Sequence, residues 1–133
     1  MDRGLESVLR DCTQGSDEGR LDFPEVLRRL SAAGIERYHA DLARAERTYY
    51  LPDGRSHRLP AQAGGAAAAA FSATGVEAAI RAVQARSLSY REFCDRIGAA
   101  GCVGYLVSIP GRRAVYYGRT GETHVEPFPA LHS

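Results

Sequence analysis

The chain has 133 residues, 44% of them hydrophobic, and a formal net charge of +1 at pH 7. That length suits one domain, 1–133, with a core of its own, whereas two independent halves of about 65 residues each would be marginal. The near-neutral charge excludes a global field that would draw in nucleic acid or an anionic membrane, and no segment approaches the roughly 18 apolar residues of a membrane span.

Every basic residue is arginine, and lysine is absent; the arginine count therefore reads as a coding bias and not as phosphate chemistry. The opening MDRGLESVLRDC is charged within its first turn and lacks the apolar stretch of a secretory signal, so a cytoplasmic location is expected.

Leu5, Val8, Leu9 and Cys12 recur at helical spacing and predict a first helix over 5–16. Asp22 is placed to cap a second helix, with Glu25 three residues on to complete a capping box. Phe23, Val26, Leu27 and Leu30 form its apolar stripe, and Gly34 ends it as a left-handed cap. The extended run IERYHADL follows. A turn at 43–46 leads to a strand ending in Tyr49–Tyr50, and the breaker-rich turn 51–54 leads to a third strand carrying His57.

An Ala/Gly-rich connector, 61–73, precedes a repetition of the same order. Thr74 and Glu77 read as a capping box for a helix with Val76, Ala79, Ile80 and Val83 on one face. Ser89 and Glu92 cap the next helix, whose stripe is Tyr90, Phe93, Cys94 and Ile97 and whose end is Gly101. The run CVGYLVSI then aligns with IERYHADL. Taking Val103, Tyr105, Val107 and Ile109 as the inward face places Glu36, Tyr38, Ala40 and Leu42 inward in the first half, where only Glu36 fits badly.

Residues 21–60 and 88–127 align without a gap at an offset of 67, and 12 of the 40 positions are identical, among them Gly34/Gly101, Tyr38/Tyr105, Tyr49–Tyr50/Tyr116–Tyr117 and His57/His124. A fixed-period repeat speaks first about architecture. The expected fold is α+β: an internally duplicated ααβββ unit with antiparallel strands, repeat 1 at 5–60 and repeat 2 at 74–127, related by a pseudo-two-fold around one shared core, with a short tail at 128–133.

The three cysteines contain no C-x-x-C. The apolar counterparts of Cys12, Cys94 and Cys102 are Val83, Leu27 and Ile35, so the thiols are expected to be reduced, buried and used as small hydrophobes.

Few residues carry chemistry. Glu122-x-His124-x-Glu126 has the period that puts three side chains on one strand face, where two carboxylates and an imidazole could bind a divalent metal or do acid–base work. The first half has Arg55, His57 and Leu59 there, so the acids belong to the second half alone. Their plainer reading is a charged edge strand that resists edge-to-edge pairing. His57, shared with His124 between the halves, could mark a site near a pseudo-dyad or serve structure; His39, Asp41 and His132 are further candidates without geometry. One tyrosine of each Tyr-Tyr pair should pack inward and the other face out. With Arg47, Arg55, Arg113 and Arg119 nearby, the outward ones could form a stacking platform for bases or sugars. There is no P-loop, no G-x-G-x-x-G after a strand, no H-E-x-x-H and no G-x-S-x-G.

The segments AAGCVGY (99–105) and YGRTGETHVEPFP (117–129), with FPEV (23–26), GIERY (34–38) and TYY (48–50), resemble the small bacterial and prophage-associated proteins called YbcV-like, also labelled phage-envelope-like. The resemblance covers nearly the whole chain. It implies no activity, cofactor or catalytic residue.

The expected function is a non-catalytic module that binds a protein or a small molecule, with no cofactor and no membrane or nucleic-acid partner. The alternatives are a small enzyme or metal-binding protein built on Glu122, His124 and Glu126, with His57 as a further catalytic candidate, and nucleic-acid binding through the Tyr/Arg surface.

Overall fold

A computed structural model of the chain describes residues 3–129. His132 and the end of the tail lie outside the described residues. Four helices, α1 (Arg3–Asp17), α2 (Phe23–Ala32), α3 (Ala73–Gln84) and α4 (Tyr90–Ala99), accompany six strands, β1 (Arg37–Asp41), β2 (Glu46–Tyr50), β3 (Ser56–Pro60), β4 (Cys102–Ser108), β5 (Arg113–Gly118) and β6 (Thr123–Pro127). The class is α+β.

All strands join one antiparallel sheet in the order β3-β2-β1-β4-β5-β6. The central β1–β4 pair joins strands from the two halves of the chain, with His39 opposite Leu106 at its middle. The hairpin pairs Tyr38↔Tyr49 and Tyr49↔His57 recur 67 residues later as Tyr105↔Tyr116 and Tyr116↔His124.

Alternation divides the sheet into two faces. Tyr38, Ala40, Tyr49, Tyr105, Val107, Ala114 and Tyr116 are buried against the helices, where Leu9, Cys12, Val26, Leu30, Val76, Ile80, Phe93 and Ile97 complete the core. Phe93 of α4 meets the edge of the Tyr116 ring, and Thr13 of α1 hydrogen-bonds to the Tyr49 hydroxyl at 2.7 Å. No described helix covers the other face.

Local signals set most boundaries. Asp22 accepts from the Glu25 amide, and Ser89 and Glu92 form a complete capping box. Gly34 and Gly101 have φ of 85° and 88°, the left-handed conformation that glycine adopts at least cost.

Four sequence expectations are corrected in detail. Glu25 does not complete a box with Asp22, because its carboxylate is taken by Arg28 and Arg29. Those pairs hold its carboxyl at about 2. The cap of α3 is Ser72 and not Thr74: the connector hydrogen-bonds through Ser72 N–H to Ala100 O at 2.7 Å, which brings the Ser72 hydroxyl under the Gly75 amide. Phe23 is exposed and meets Phe128 edge-on instead of entering the core. Val103 is half-exposed because a bulge sets Cys102 against Gly118 and Gly104 against Tyr117, leaving Val103 as the extra residue. Cys102 and its counterpart Ile35 are buried instead, so Glu36 never has to enter the core.

The connector is extended and runs along α4, with Gly64 N–H bonded to Leu42 O and Ala68 N–H to Gly98 O. A Cβ on Gly98 would come within 3.2 Å of Gly65 O, which explains a glycine inside that helix.

Candidate functional site

Residues on the outward phase of the strands form a second, uncovered surface. A shallow groove of about 540 Å³ lies on it, lined by Arg37 and His39 of β1, Tyr50 of β2, Leu106 of β4, Val115 and Tyr117 of β5, and Thr123 of β6. Its floor is aliphatic, since Leu106 and Val115 stand opposite each other in the β4–β5 pair.

Two stacked pairs make its walls. The His39 and Tyr117 rings lie nearly parallel, 5.8 Å between centroids and 14° apart, and share a hydrogen bond of 2.6 Å between Nε2 and the phenol oxygen. The Arg37 guanidinium lies over the Tyr50 ring, 4.4 Å from its centroid, and pairs with Glu36. Burial, reinforced by Asp41 and Cys102, pushes the Tyr117 hydroxyl above its ordinary range, so it stays protonated at neutral pH.

Tyr50 and Tyr117 are counterparts in the two halves, yet they lie differently. Tyr117 leans across Gly104, where a Cβ would stand 2.4 Å from its hydroxyl oxygen. The counterpart of Gly104 is Arg37, whose side chain occupies that space beside Tyr50. The groove is thus built once, although its two halves share a pattern.

The candidate residues named from the sequence divide between the two edges of the sheet. His57 and His124 sit on β3 and β6, the opposite edges of the sheet, five strand spacings or about 24 Å apart. Glu122 precedes β6, in a turn where its carboxylate accepts from the Thr120 hydroxyl. His124 Nε2 donates to Glu126 Oε1 at 3.1 Å, and Arg81 of α3 donates to the other oxygen of Glu126 at 2.9 Å. Burial raises the Glu126 carboxyl, but the hydrogen bonds from Arg81 and His124 outweigh it and hold the group below its usual range. His57 lacks this arrangement, because Leu59 stands where Glu126 would be, and its Nε2 is buried without a hydrogen-bond partner. Among the described residues no three His, Cys, Asp or Glu side chains are placed to hold a metal ion. Asp41 Oδ1 is committed to the Ala43 and Arg44 amides in the β1–β2 turn.

Comparison with known proteins then places the chain. No family model matches it. The uncharacterized protein Rv2012 of Mycobacterium tuberculosis (strain H37Rv) is 30% identical over 111 residues, covering 82% of this chain and 68% of the relative. The uncharacterized protein Mb2035 of Mycobacterium bovis matches to the same extent. The chain belongs to the family of these mycobacterial proteins. That membership brings no activity to either site, so chemistry within this family has to be read from side chains.

The side chain most out of place is Arg47. It was grouped with Arg55, Arg113 and Arg119 as a possible surface for bases, but it is 1% exposed. Its Nη2 donates to the Tyr90 hydroxyl at 2.6 Å, and its guanidinium lies 5.1 Å from the Tyr38 ring centroid. Tyr90 and Tyr105 hydroxyls are 2.5 Å apart beside it. Arg55 is occupied by Asp53. Arg47 is therefore not available to a surface for bases or sugars. Alternation placed position 47 on the inward face together with Tyr49, so the signal was there; composition argued against heeding it, since a buried arginine is rare. One tyrosine of each pair faces the core, as alternation requires: Tyr49 and Tyr116 point in, and Tyr50 and Tyr117 point out.

Proposed function

We propose that this protein is a non-catalytic binding module whose ligand, a small molecule, occupies the groove on the open face of the sheet. One observation carries the reading. An antiparallel sheet with one solvated face normally alternates apolar residues inward and polar residues outward. Here the outward phase holds Tyr50, Leu106, Val115 and Tyr117 around a shallow groove. The His39–Tyr117 hydrogen bond fixes one wall in place before a ligand arrives, which lowers the ordering cost of binding.

The reading includes an internal duplication. Two ααβββ units would be related by an approximate two-fold axis through His39 and Leu106, with the groove across the axis. In support, the β1–β4 register is its own image under the 67-residue offset: Arg37↔Ser108 maps onto Asp41↔Gly104, and His39↔Leu106 maps onto itself. The left-handed Ala45 and Arg112, with φ of 55° and 54°, fall at the same offset. The YbcV-like likeness belongs to the same proposal, as does a cytoplasmic location. Three free, buried cysteines fit a reducing compartment, and no described helix is long and apolar enough to cross a membrane.

A chemically mixed fragment library, screened by proton–nitrogen NMR on the labelled chain, tests the proposal. Hits should shift amides around His39, Leu106, Val115 and Tyr117. Hits scattered over the surface, with none at those positions, would overturn it.

A further inference from the structure

We infer that the groove takes one flat aromatic acid per chain, its ring over Leu106 and Val115 and its carboxylate on Arg37. The inference rests on the binding-module reading and narrows it to a ligand class.

Shape comes first. The walls are planar groups in stacked pairs, His39 with Tyr117 and Arg37 with Tyr50, and the floor is a pair of aliphatic side chains. A shallow groove of this kind offers broad contact to a flat ring. A branched or globular ligand would touch the floor at few points. Aromatic rings gain from offset or edge contact with aromatic walls beyond the area they bury.

Charge decides the second half. Arg37 is the one Arg, Asp or Glu that lines the groove among the described residues. The nearest carboxylate on the same strand face, Asp41, has an oxygen occupied by two backbone amides. Arg37 does hold Glu36, but both side chains are about one-third exposed, at 38% and 32%. Pairs so exposed are weak, so a ligand carboxylate could take Glu36's place at little cost. The guanidinium has a flat fork of donors suited to a carboxylate, and its stacking on Tyr50 holds that fork at the rim. The Thr123 hydroxyl at the opposite rim and the His39–Tyr117 pair leave room for a second, neutral polar group on the ligand.

Stoichiometry follows from the asymmetry. Arg37 is the only one of the two equivalent positions to carry a side chain, since its counterpart is Gly104, over which Tyr117 lies. The groove therefore has one cationic end.

Three probes separate these claims: 2-naphthoate, its neutral isostere 2-naphthamide, and decanoate as an acid without a ring. Each is titrated into the native chain and into Arg37→Gln, with NMR to map the site and calorimetry to count it. The expected result is one 2-naphthoate per chain at His39, Leu106, Val115 and Tyr117, with 2-naphthamide and decanoate each at least tenfold weaker. Arg37→Gln should lower 2-naphthoate at least tenfold, to the level of 2-naphthamide in the same variant, and lower 2-naphthamide by much less, since the neutral probe loses only the wall contact over Tyr50; amide signals away from the groove should stay native. Equal binding of acid and amide would overturn the carboxylate assignment, and equal binding of decanoate the ring assignment. Either failure leaves the fragment screen free to support the groove. Should none of the three probes shift groove amides, the aromatic-acid inference falls, and if the mixed library also misses the groove, the binding-module reading falls with it.

Discussion

Tyr117 lies over Gly104, so close that a Cβ at position 104 would stand 2.4 Å from the tyrosine hydroxyl and 2.8 Å from the carbonyl oxygen of Ala40 on the adjacent strand. The glycine is what lets the phenol reach His39. Gly104→Ala should therefore cost about 1–3 kcal/mol from overpacking and release the Tyr117 ring from His39. Tyr117→Phe should keep the ring in place and remove only the hydrogen bond, for about 0.5–1.5 kcal/mol. Urea melts give the two costs. The His39 ring signals in NMR separate them, since they should move far more in Gly104→Ala. Equal, small effects in both variants would show that the close approach is not a constraint.

Gly34 and Gly101 share a left-handed backbone but not a neighbourhood. Nothing lies within 4 Å of a Cβ at Gly34, whereas one at Gly101 would meet Ala70 O at 2.2 Å. Gly34→Ala should cost about 1 kcal/mol, the backbone term alone. Gly101→Ala should cost at least about 2 kcal/mol, because the connector must also move. Denaturant midpoints decide it, and matching values would refute the steric part of the argument.

Arg47 is buried without a carboxylate partner within salt-bridge distance among the described residues, and its Nε has no hydrogen-bond partner. A buried charge of this kind adds little net stability, but its stem fills space. Arg47→Met should stay within about 1.5 kcal/mol of the native chain, since Tyr90 and Tyr105 still satisfy each other. Arg47→Ala should lose about 2–4 kcal/mol to the cavity. A methionine variant that melts with, or below, the alanine variant would mean that the charge itself holds the core together.

Glu126 ties β6 to α3 through Arg81, and its carboxyl titrates below the ordinary range. A carboxyl depressed in the folded state contributes stability above its unfolded pKa of about 4.3, and that contribution is lost as pH falls through the lower folded value. Glu126→Gln should thus be less stable than the native chain at pH 6 to 7, and the gap should close on acidification. Denaturation midpoints across pH 2.5–7 test this; a gap that stays constant would dissociate Glu126 from the acid limb.

The three thiols should react slowly with a thiol reagent in the folded chain. All are buried, and burial pushes Cys94 up to about 12 and raises Cys12 and Cys102 as well. Labelling should accelerate with unfolding. Fast modification of two or more in native conditions would contradict the packing.

Periodicity and capping chemistry determined the order of the ten elements and most of their boundaries, because these are local matters: Asp22 and Ser89 reach amides three residues away, and Gly34 and Gly101 end helices by their own φ. Alternation likewise required one tyrosine of each pair to turn inward, and the fold decided that it is Tyr49 and Tyr116. The α3 cap and the β4 bulge escaped, since Ser72 is set by Ala100 and Val103 by the mismatch with β5, partners that local pattern does not contain. The candidate site was less legible. Glu122, His124 and Glu126 stood out because they are close in sequence and rich in chemistry, but the turn draws Glu122 to Thr120, and Arg81 takes the oxygen of Glu126 that His124 leaves free. The groove joins residues from five strands, and only the β1–β4 pairing brings His39 to Leu106 and within reach of Tyr117. Strand identity is written in local alternation; strand partnership is decided by how the whole apolar face is buried, and that is a property of the folded chain.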